Sequence, residues 1–366
     1  MLLRSPACEP LAIVLPWRCM ITDRWKKERG SRVEGSRDLD RSKVQAPCIV
    51  HKTGGGFRLF YTAVGPGKPF PECQGYILSA VSEDGVVFEK EPGIRLAPQP
   101  DVEFRSLRLL APSVHEYAED QWRMYVEARG TAGRPTVISS AVSSDLVNWE
   151  HEEGIRFVAF EGVGGPRYVA LPGGGGRLYC FATEYSAGGK ESGERVSSSV
   201  VSAVTVDGVN FQSEPGYRLR DRQSELDAVG ITAAEAIPPL QPDGRWSMVF
   251  SAWQDAPPGS EIPLHPSHDP DAVATGSSED FAAASIASDM AGFRSRIFVA
   301  YSDDGLEWER GGCAIEGKGY DGEGVDAVHA EDMSVIHLGD GHYRMYYAAC
   351  DVCGKWSVAS AVMGDG

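Results

Sequence analysis

Short apolar runs separated by polar, glycine-bearing turns recur along the chain, and one arrangement returns five times. It appears as GYILSAVSEDGVVFEKEPGIRL (75–96), VISSAVSSDLVNWEHEEGIRF (137–157), SVVSAVTVDGVNFQSEPGYRL (199–219), RIFVAYSDDGLEWERGGCAIE (296–316) and WSVASAVMGDG (356–366). Each copy holds an apolar strand and a tight turn at Asp84, Asp145, Asp207, Asp304 or Asp365. In the first four copies a second strand follows, opening on Phe or Trp. The turns lie 61, 62, 97 and 61 residues apart. A hairpin returning at a nearly fixed period predicts a propeller, solenoid or array, because one such unit cannot bury its apolar face alone.

Upstream of each hairpin lies a second apolar pair. APCIV and FRLFYTAV precede the first, APSVHEY and WRMYVEA the second, and PRYVAL and RLYCFATE the third. AEAIPPL and RWSMVFSAW precede the fourth, and DMSVIHL and YRMYYAAC the fifth. Four antiparallel strands per unit is the makeup of a propeller blade. The pattern therefore predicts an all-β, five-bladed β-propeller with blades over about 44–96, 108–157, 165–219, 231–316 and 328–366. The fifth copy has no strand after its turn, and WKKERGSRV (25–33) matches the missing piece. A strand within about 22–33 is thus expected to complete the last blade and close the ring. Residues 20–366 read as a single propeller domain; residues 1–19 read as a flexible extension or a start really at Met20.

Composition narrows the partners. The 366 residues are 42% hydrophobic and 24% charged, enough for a sizeable core. A net charge of −17 disfavours nucleic acid and anionic membranes, which need a basic footprint, and no apolar run is long enough to span a bilayer. Eight cysteines, mostly within strand patterns, suggest a reduced, cytoplasmic protein. The Cys350/Cys353 pair stands alone between strands and reads as a plain loop. Blade four carries one long insertion, about 254–293. Its second part (SSEDFAAASIASDMAGF) has a capping signature and predicts a short helix, suited to a lid or to a subunit interface forming a homodimer.

The recurring S-x-D-G-x-x-W/F turn, the WRMYV and YRMYY strands and APSV at 111–114 resemble the five-bladed propeller glycosidases. That superfamily holds glycoside hydrolase families 43, 32, 68 and 130, and the resemblance covers about residues 20–366. It implies a central site at the strand entries, where family 43 places an aspartate before the blade-one proline, an aspartate in blade three and a glutamate in blade four. Here those positions read Ala46, Gly165 and Glu235. Two of the three implied acids are absent, so the usual machinery is not expected.

Other ionisable residues converge on the same entries. HAEDMSV brings His329, Glu331 and Asp332, while Arg108 and Arg167 flank the entries of blades two and three. The loop GSRDLDRSK adds Arg37 and Asp40, and RDRQSELDAVG adds Glu225 and Asp227. One reading makes Glu235 and Glu331 or Asp332 an acid/base pair, because burial raises one carboxyl pKa while a nearby arginine keeps the other ionised. Arg37, Asp40, Arg108, Arg167 and His329 then bind a carbohydrate or small-molecule ligand. The opposing reading has Glu331 or Asp332 paired with Arg108 or Arg167 to plug the channel. No spacing is diagnostic of a metal, and no cofactor motif is present. Three functions stay open: acid/base catalysis on a sugar or polyhydroxylated molecule, biosynthetic proton-transfer chemistry on a non-sugar metabolite, and ligand binding without catalysis.

Overall fold

In the computed structural model, two short N-terminal strands, β1 (Lys26–Lys27) and β2 (Val33–Glu34), pair antiparallel with the last strand of the chain. The register sets Lys26 opposite Val362 and Val33 opposite Val358. The ring is therefore closed by the N-terminal segment, as the match between 25–33 and the blade hairpins predicts. The structure describes residues 21–131, 134–184, 197–220, 230–241, 243–255, 293–317, 319 and 322–364. The N-terminal extension, Glu225, Asp227 and nearly all of the blade-four insertion, with its expected helix and interface, lie outside them.

The first blade comprises β3 (Lys43–His51), β4 (Phe57–Val64), β5 (Tyr76–Ser82) and β6 (Glu89–Lys90). In the second are β7 (Arg108–Ala118), β8 (Gln121–Arg129), β9 (Val137–Ser143) and β10 (Glu150–His151). The third holds β11 (Val163–Ala170), β12 (Gly176–Glu184), β13 (Ser197–Thr205) and β14 (Gln212–Ser213). Blade four is built from β15 (Gly230–Ile237), β16 (Trp246–Asp255), β17 (Phe293–Ser302) and β18 (Glu309–Ile315). Blade five has β19 (His329–Gly339), β20 (His342–Cys350) and β21 (Trp356–Met363), completed by β1 and β2. The first four sheets are simple antiparallel paths in chain order; in the fifth, β1 and β2 both pair with β21. Among the described residues, helical structure is limited to one 3-10 turn at Glu103–Arg105.

The repeated turn works as a side-chain device. Asp84 Oδ1 accepts the N–H groups of Val86 at 2.8 Å and Val87 at 2.9 Å, and Ser82 donates to it at 3.0 Å. The same hydroxyl accepts the Gly85 N–H at 2.9 Å. These backbone donors hold the Asp84 carboxyl down at about 2. Asp145, Asp207 and Asp304 repeat the arrangement, satisfying turn N–H groups that no strand pairs. In blade two the glycine position is Leu146, held at φ 62°.

The turns of the first four blades are also gripped by the preceding blade. Tyr346, Tyr125 and Tyr179 donate their hydroxyls to the carbonyls of Gly85, Gly208 and Gly305. Arg58, Arg123, Arg177 and Arg344 reach the carbonyls of Asp145, Asp207, Asp304 and Asp84 while each pairs with a carboxylate of its own blade. The aromatic opening each outer strand packs edge-on against an aromatic ring of the neighbouring blade: Phe88 on Tyr346, Trp149 on Phe60, Phe211 on Tyr125 and Trp308 on Tyr179. This contact explains why the motif ends in Phe or Trp. Blade four has Ser247 and Val249 at the arginine and tyrosine positions of its second strand, so this set of rivets is missing between blades four and five.

Candidate functional site

Four inner strands carry a bulge at the same level. The pairing register shifts between Gln45 and Cys48, Leu110 and Ser113, Gly164 and Arg167, and Glu331 and Ser334. At each, one residue is held in the left-handed region: Ala46 (φ 48°), Ala111 (φ 49°), Gly165 (φ 55°) and Asp332 (φ 51°). In blade four the shift comes earlier, between Ile231 and Ala233. A bulge unpairs backbone groups and re-aims a side chain. Both consequences matter here.

The freed carbonyls converge on one side chain. The Arg167 guanidinium donates to the carbonyl oxygens of Pro112 at 3.0 Å, Pro166 at 3.1 Å, Pro47 at 3.1 Å and Met333 at 3.0 Å. Its Nε also lies 3.2 Å from Glu235 Oε2. One residue thereby ties all five blades. Arg167 pairs across its blade with Tyr179, and the positions paired in the same way elsewhere are Cys48, Ser113, Glu235 and Ser334. These side chains form a second chain of contacts around the axis. Ser334 accepts the N–H of Ile49, Cys48 that of Val114, Ser113 that of Tyr168, and Glu235 that of Val335 at 2.9 Å. Where Arg167 cannot accept, the ion pair with Glu235 takes over.

Glu235 therefore does not occupy the position of Ala46 and Gly165, as the sequence comparison implied. It stands one level further along, because blade four has no two-residue bulge there. Burial raises its pKa against the pull of Arg167. Arg167, expected to bind ligand, is saturated by backbone and Glu235. The pairing of Glu331 or Asp332 with Arg108 or Arg167 is not found among the described residues: Arg167 pairs with Glu235 and Arg108 with Glu127.

Above this tie opens a cavity of about 310 Å³. Its walls include Gln45, Ala46, Ala111, Gly165, Thr232 and Asp332 from the strand entries, with Arg108, Glu127, Phe181 and Trp253. Glu235, Arg167 and His329 are not among the lining residues. Asp332 is. Burial, then the adjacent charge of Glu331, push its pKa well above the usual carboxylate range, against the opposing influence of Arg167 and Lys43. No described residue donates a hydrogen bond to its carboxylate. Glu331 is held by the Trp253 indole N–H at 2.6 Å.

Glu127 escapes a reading of the entries because it comes from a second strand. Its carboxylate pairs with Arg108 at 3.2 Å and accepts the Gly165 N–H at 3.3 Å. A signal was available: Glu127 is a charge inside the otherwise apolar run WRMYVEA, where the corresponding residues of the other blades are Thr62, Phe181, Ser251 and Ala348. Gly164 makes room for it, since a Cβ there would lie 2.3 Å from Glu127 Oε2. At Gly165, where the resemblance implied an aspartate, a Cβ would meet the Phe181 ring at 3.1 Å. Phe181 has taken that space.

The remaining expected ligand-binding residues lie elsewhere. Asp40 is fully buried, accepting the N–H groups of Ser36 and Arg37 and pairing with Lys90 at 2.5 Å. Arg37 donates to the carbonyls of Lys90 and Glu91. Both are thus drawn to the outer strand of blade one and shape its loop. His329 is fully buried, stacked on Trp356 with ring centroids 5.4 Å apart and bonded to Ser295 at 3.1 Å. Among the described residues no cluster of His, Cys, Asp and Glu could hold a metal ion, and the described cysteines are free thiols.

No protein-family model and no curated protein sequence matches the chain. Solved structures do. A thermostable family-43 glycoside hydrolase superposes with a TM-score of 0.60 at 14% identity, over 93% of this chain and 93% of its own. A structure from work on the GH130 family of mannoside phosphorylases, which contains glycoside hydrolases that target β-1,2 mannosidic linkages in Candida mannan, gives 0.60 at 12%, over 96% of each chain. A family 117 glycoside hydrolase of the marine bacterium Zobellia galactanivorans gives 0.57 at 12%, over 93% and 91%. The chain shares the five-bladed propeller of these glycoside hydrolases.

Proposed function

We propose that this protein is an acid/base catalyst acting on a sugar or polyhydroxylated small molecule in the central cavity. Asp332 is the proton donor, and Glu127, ion-paired with Arg108, is the base. The observation that carries this reading is two carboxyl groups on the wall of one cavity in opposite environments. Asp332 is half-buried on the cavity wall, without a hydrogen-bond donor and pushed toward its protonated form, whereas Glu127 is held by a guanidinium and a backbone N–H. Two carboxyl groups in such contrasting surroundings suit the roles of acid and base. Glu331 and Trp253 position Asp332, and Glu235 serves the channel tie. The cavity suits a ligand of about monosaccharide size, and neighbours of the same fold act on glycosidic linkages.

The walls also favour a second reading. Ala46, Leu110, Ala111, Phe181, Ile231 and Trp253 make the lining largely apolar. That suits proton-transfer chemistry, such as isomerisation or dehydration of a non-sugar metabolite, which needs no positioned water.

The test is turnover of a panel of aryl glycosides and oligosaccharides by the wild type, Asp332→Asn and Glu127→Gln. Each substitution is expected to lower turnover about 100-fold or more, the usual worth of a positioned acid or base, with the folded state intact by circular dichroism. An Asp332→Asn protein of full activity sinks the assignment. Sugars that bind without any product would make the protein a binding propeller.

A further inference from the structure

A second cavity of about 320 Å³ lies between blades two and three and shares Arg108, Glu127 and Phe181 with the central one. Its charge is unusual. Arg108 and Arg129 stand directly opposite each other across the β7–β8 pair, an arrangement of like charges that costs stability in a sheet. Glu127, two residues along the same strand, pairs with Arg108. Arg134 also lines the cavity but is engaged at 2.8 Å by Glu103, which does not. Arg129 is half-buried, lines the cavity and has no side-chain hydrogen bond or ion pair among the described residues. The wall carries three arginines, Arg108, Arg129 and Arg134, and two glutamates, Glu127 and the exposed Glu161, so the cleft leans positive in a chain of net charge −17. The Arg129 side chain suits a bound oxyanion, which a guanidinium grips through two parallel N–H donors.

A second feature marks the same cavity. Phe160 lines it while 57% exposed, held at φ 52° and stacked on Tyr217 with ring centroids 6.1 Å apart. A bulky residue in the left-handed region costs free energy and persists where the surroundings enforce it. Here it places an aromatic ring at the cavity wall.

We propose that this second cavity is a subsite for an anionic substituent, with Arg129 binding the carboxylate of a sugar acid whose ring reaches into the central cavity beside Asp332. The proposal rests on the central cavity being a sugar site and names the class of sugar. It is tested by calorimetric titration of full-length protein with glucose and glucuronate, galactose and galacturonate, mannose and mannuronate, and inorganic phosphate. The acid of at least one pair should bind about ten-fold tighter than its neutral partner, the scale of one charge-assisted contact. In Arg129→Gln the two should come within about two-fold, while Arg129→Lys, which keeps the charge, should retain part of the preference. Neutral and acidic sugars binding alike would overturn the subsite and leave the proposed function standing. A preference that survives Arg129→Gln would also overturn it. Arg129-dependent binding of phosphate, with no preference among the sugars, would reassign the oxyanion to a free one. Failure of every sugar to bind would remove both proposals.

Discussion

Replacing Arg167 by methionine tests whether the channel tie holds the ring. The substitution leaves the Glu235 carboxylate buried without its cation, and breaking a buried ion pair from one side costs about 3–5 kcal/mol. Four carbonyls on blades one, two, three and five lose their donor as well. Each buried orphan costs about 1–3 kcal/mol unless water reaches it. Against a native stability of about 5–15 kcal/mol, Arg167→Met should lower the urea midpoint by a third or more. The loss should be greatest at the junction of blades four and five, where the tyrosine and arginine rivets are missing. The partner substitution separates charge from shape. Glu235→Gln keeps an oxygen for the Val335 N–H and removes only the charge, so alone it should cost about 1.5–3 kcal/mol. Combined with Arg167→Met, it should recover part of the loss, because a neutral amide is cheaper to leave unpaired than a carboxylate. Urea unfolding followed by the fluorescence of the eight tryptophans gives all three values, with an unchanged slope as the control. An Arg167→Met protein within about 1 kcal/mol of wild type would refute the tie, as would two substitutions whose effects simply add.

Asp332→Asn should raise stability at neutral pH while abolishing turnover. The folded pKa of Asp332 lies above its usual 3.8, so the native state keeps a proton that the unfolded chain releases. Stability then falls as pH rises from about 4 through the raised value, and the amide removes that fall without disturbing φ 51°, which asparagine tolerates. Melting curves from about pH 4 to about pH 8 check it, and an unchanged slope contradicts it. The turn aspartates have the opposite sign. Backbone donors lower their pKa values; Asp84, held down at about 2, contributes stability present above about 4 that is lost as pH falls through its folded value, so Asp84→Asn should flatten the acid limb of unfolding. Arg123→Met, which strands Glu152 in a half-buried pair at 2.8 Å, should cost about 2–3 kcal/mol, whereas Arg245→Met, in an exposed pair, should stay within about 0.5 kcal/mol. Equal effects in the two variants would mean that the rivets contribute no more than surface charge.

The contrast between fold and site has a physical cause in where information is repeated. The Asp turns of the first four blades and their trailing aromatics contact the neighbouring blade in the same way, so packing imposes one pattern on them, and its repetition makes it readable. The N-terminal closure was legible for the same reason: WKKERGSRV carries the residues of an outer strand, with Glu28 in place of Glu91, Glu152 and Glu214 as partner to an arginine. The site depends instead on departures from the repeat. Counting along blade four puts Glu235 at an entry only if its bulge matches the others, and the bulge lies earlier, at Thr232. A shift of pairing by one residue exchanges a cavity wall for a structural tie. Glu127 was hidden differently, as a lone charge in a strand whose equivalents are uncharged, while Arg37 and Asp40 drew attention by charge alone and prove to shape a loop. In a repeat protein the residues that break the pattern carry the chemistry. They can be recognised as exceptions from the sequence, but only the strand register tells which of them face the cavity.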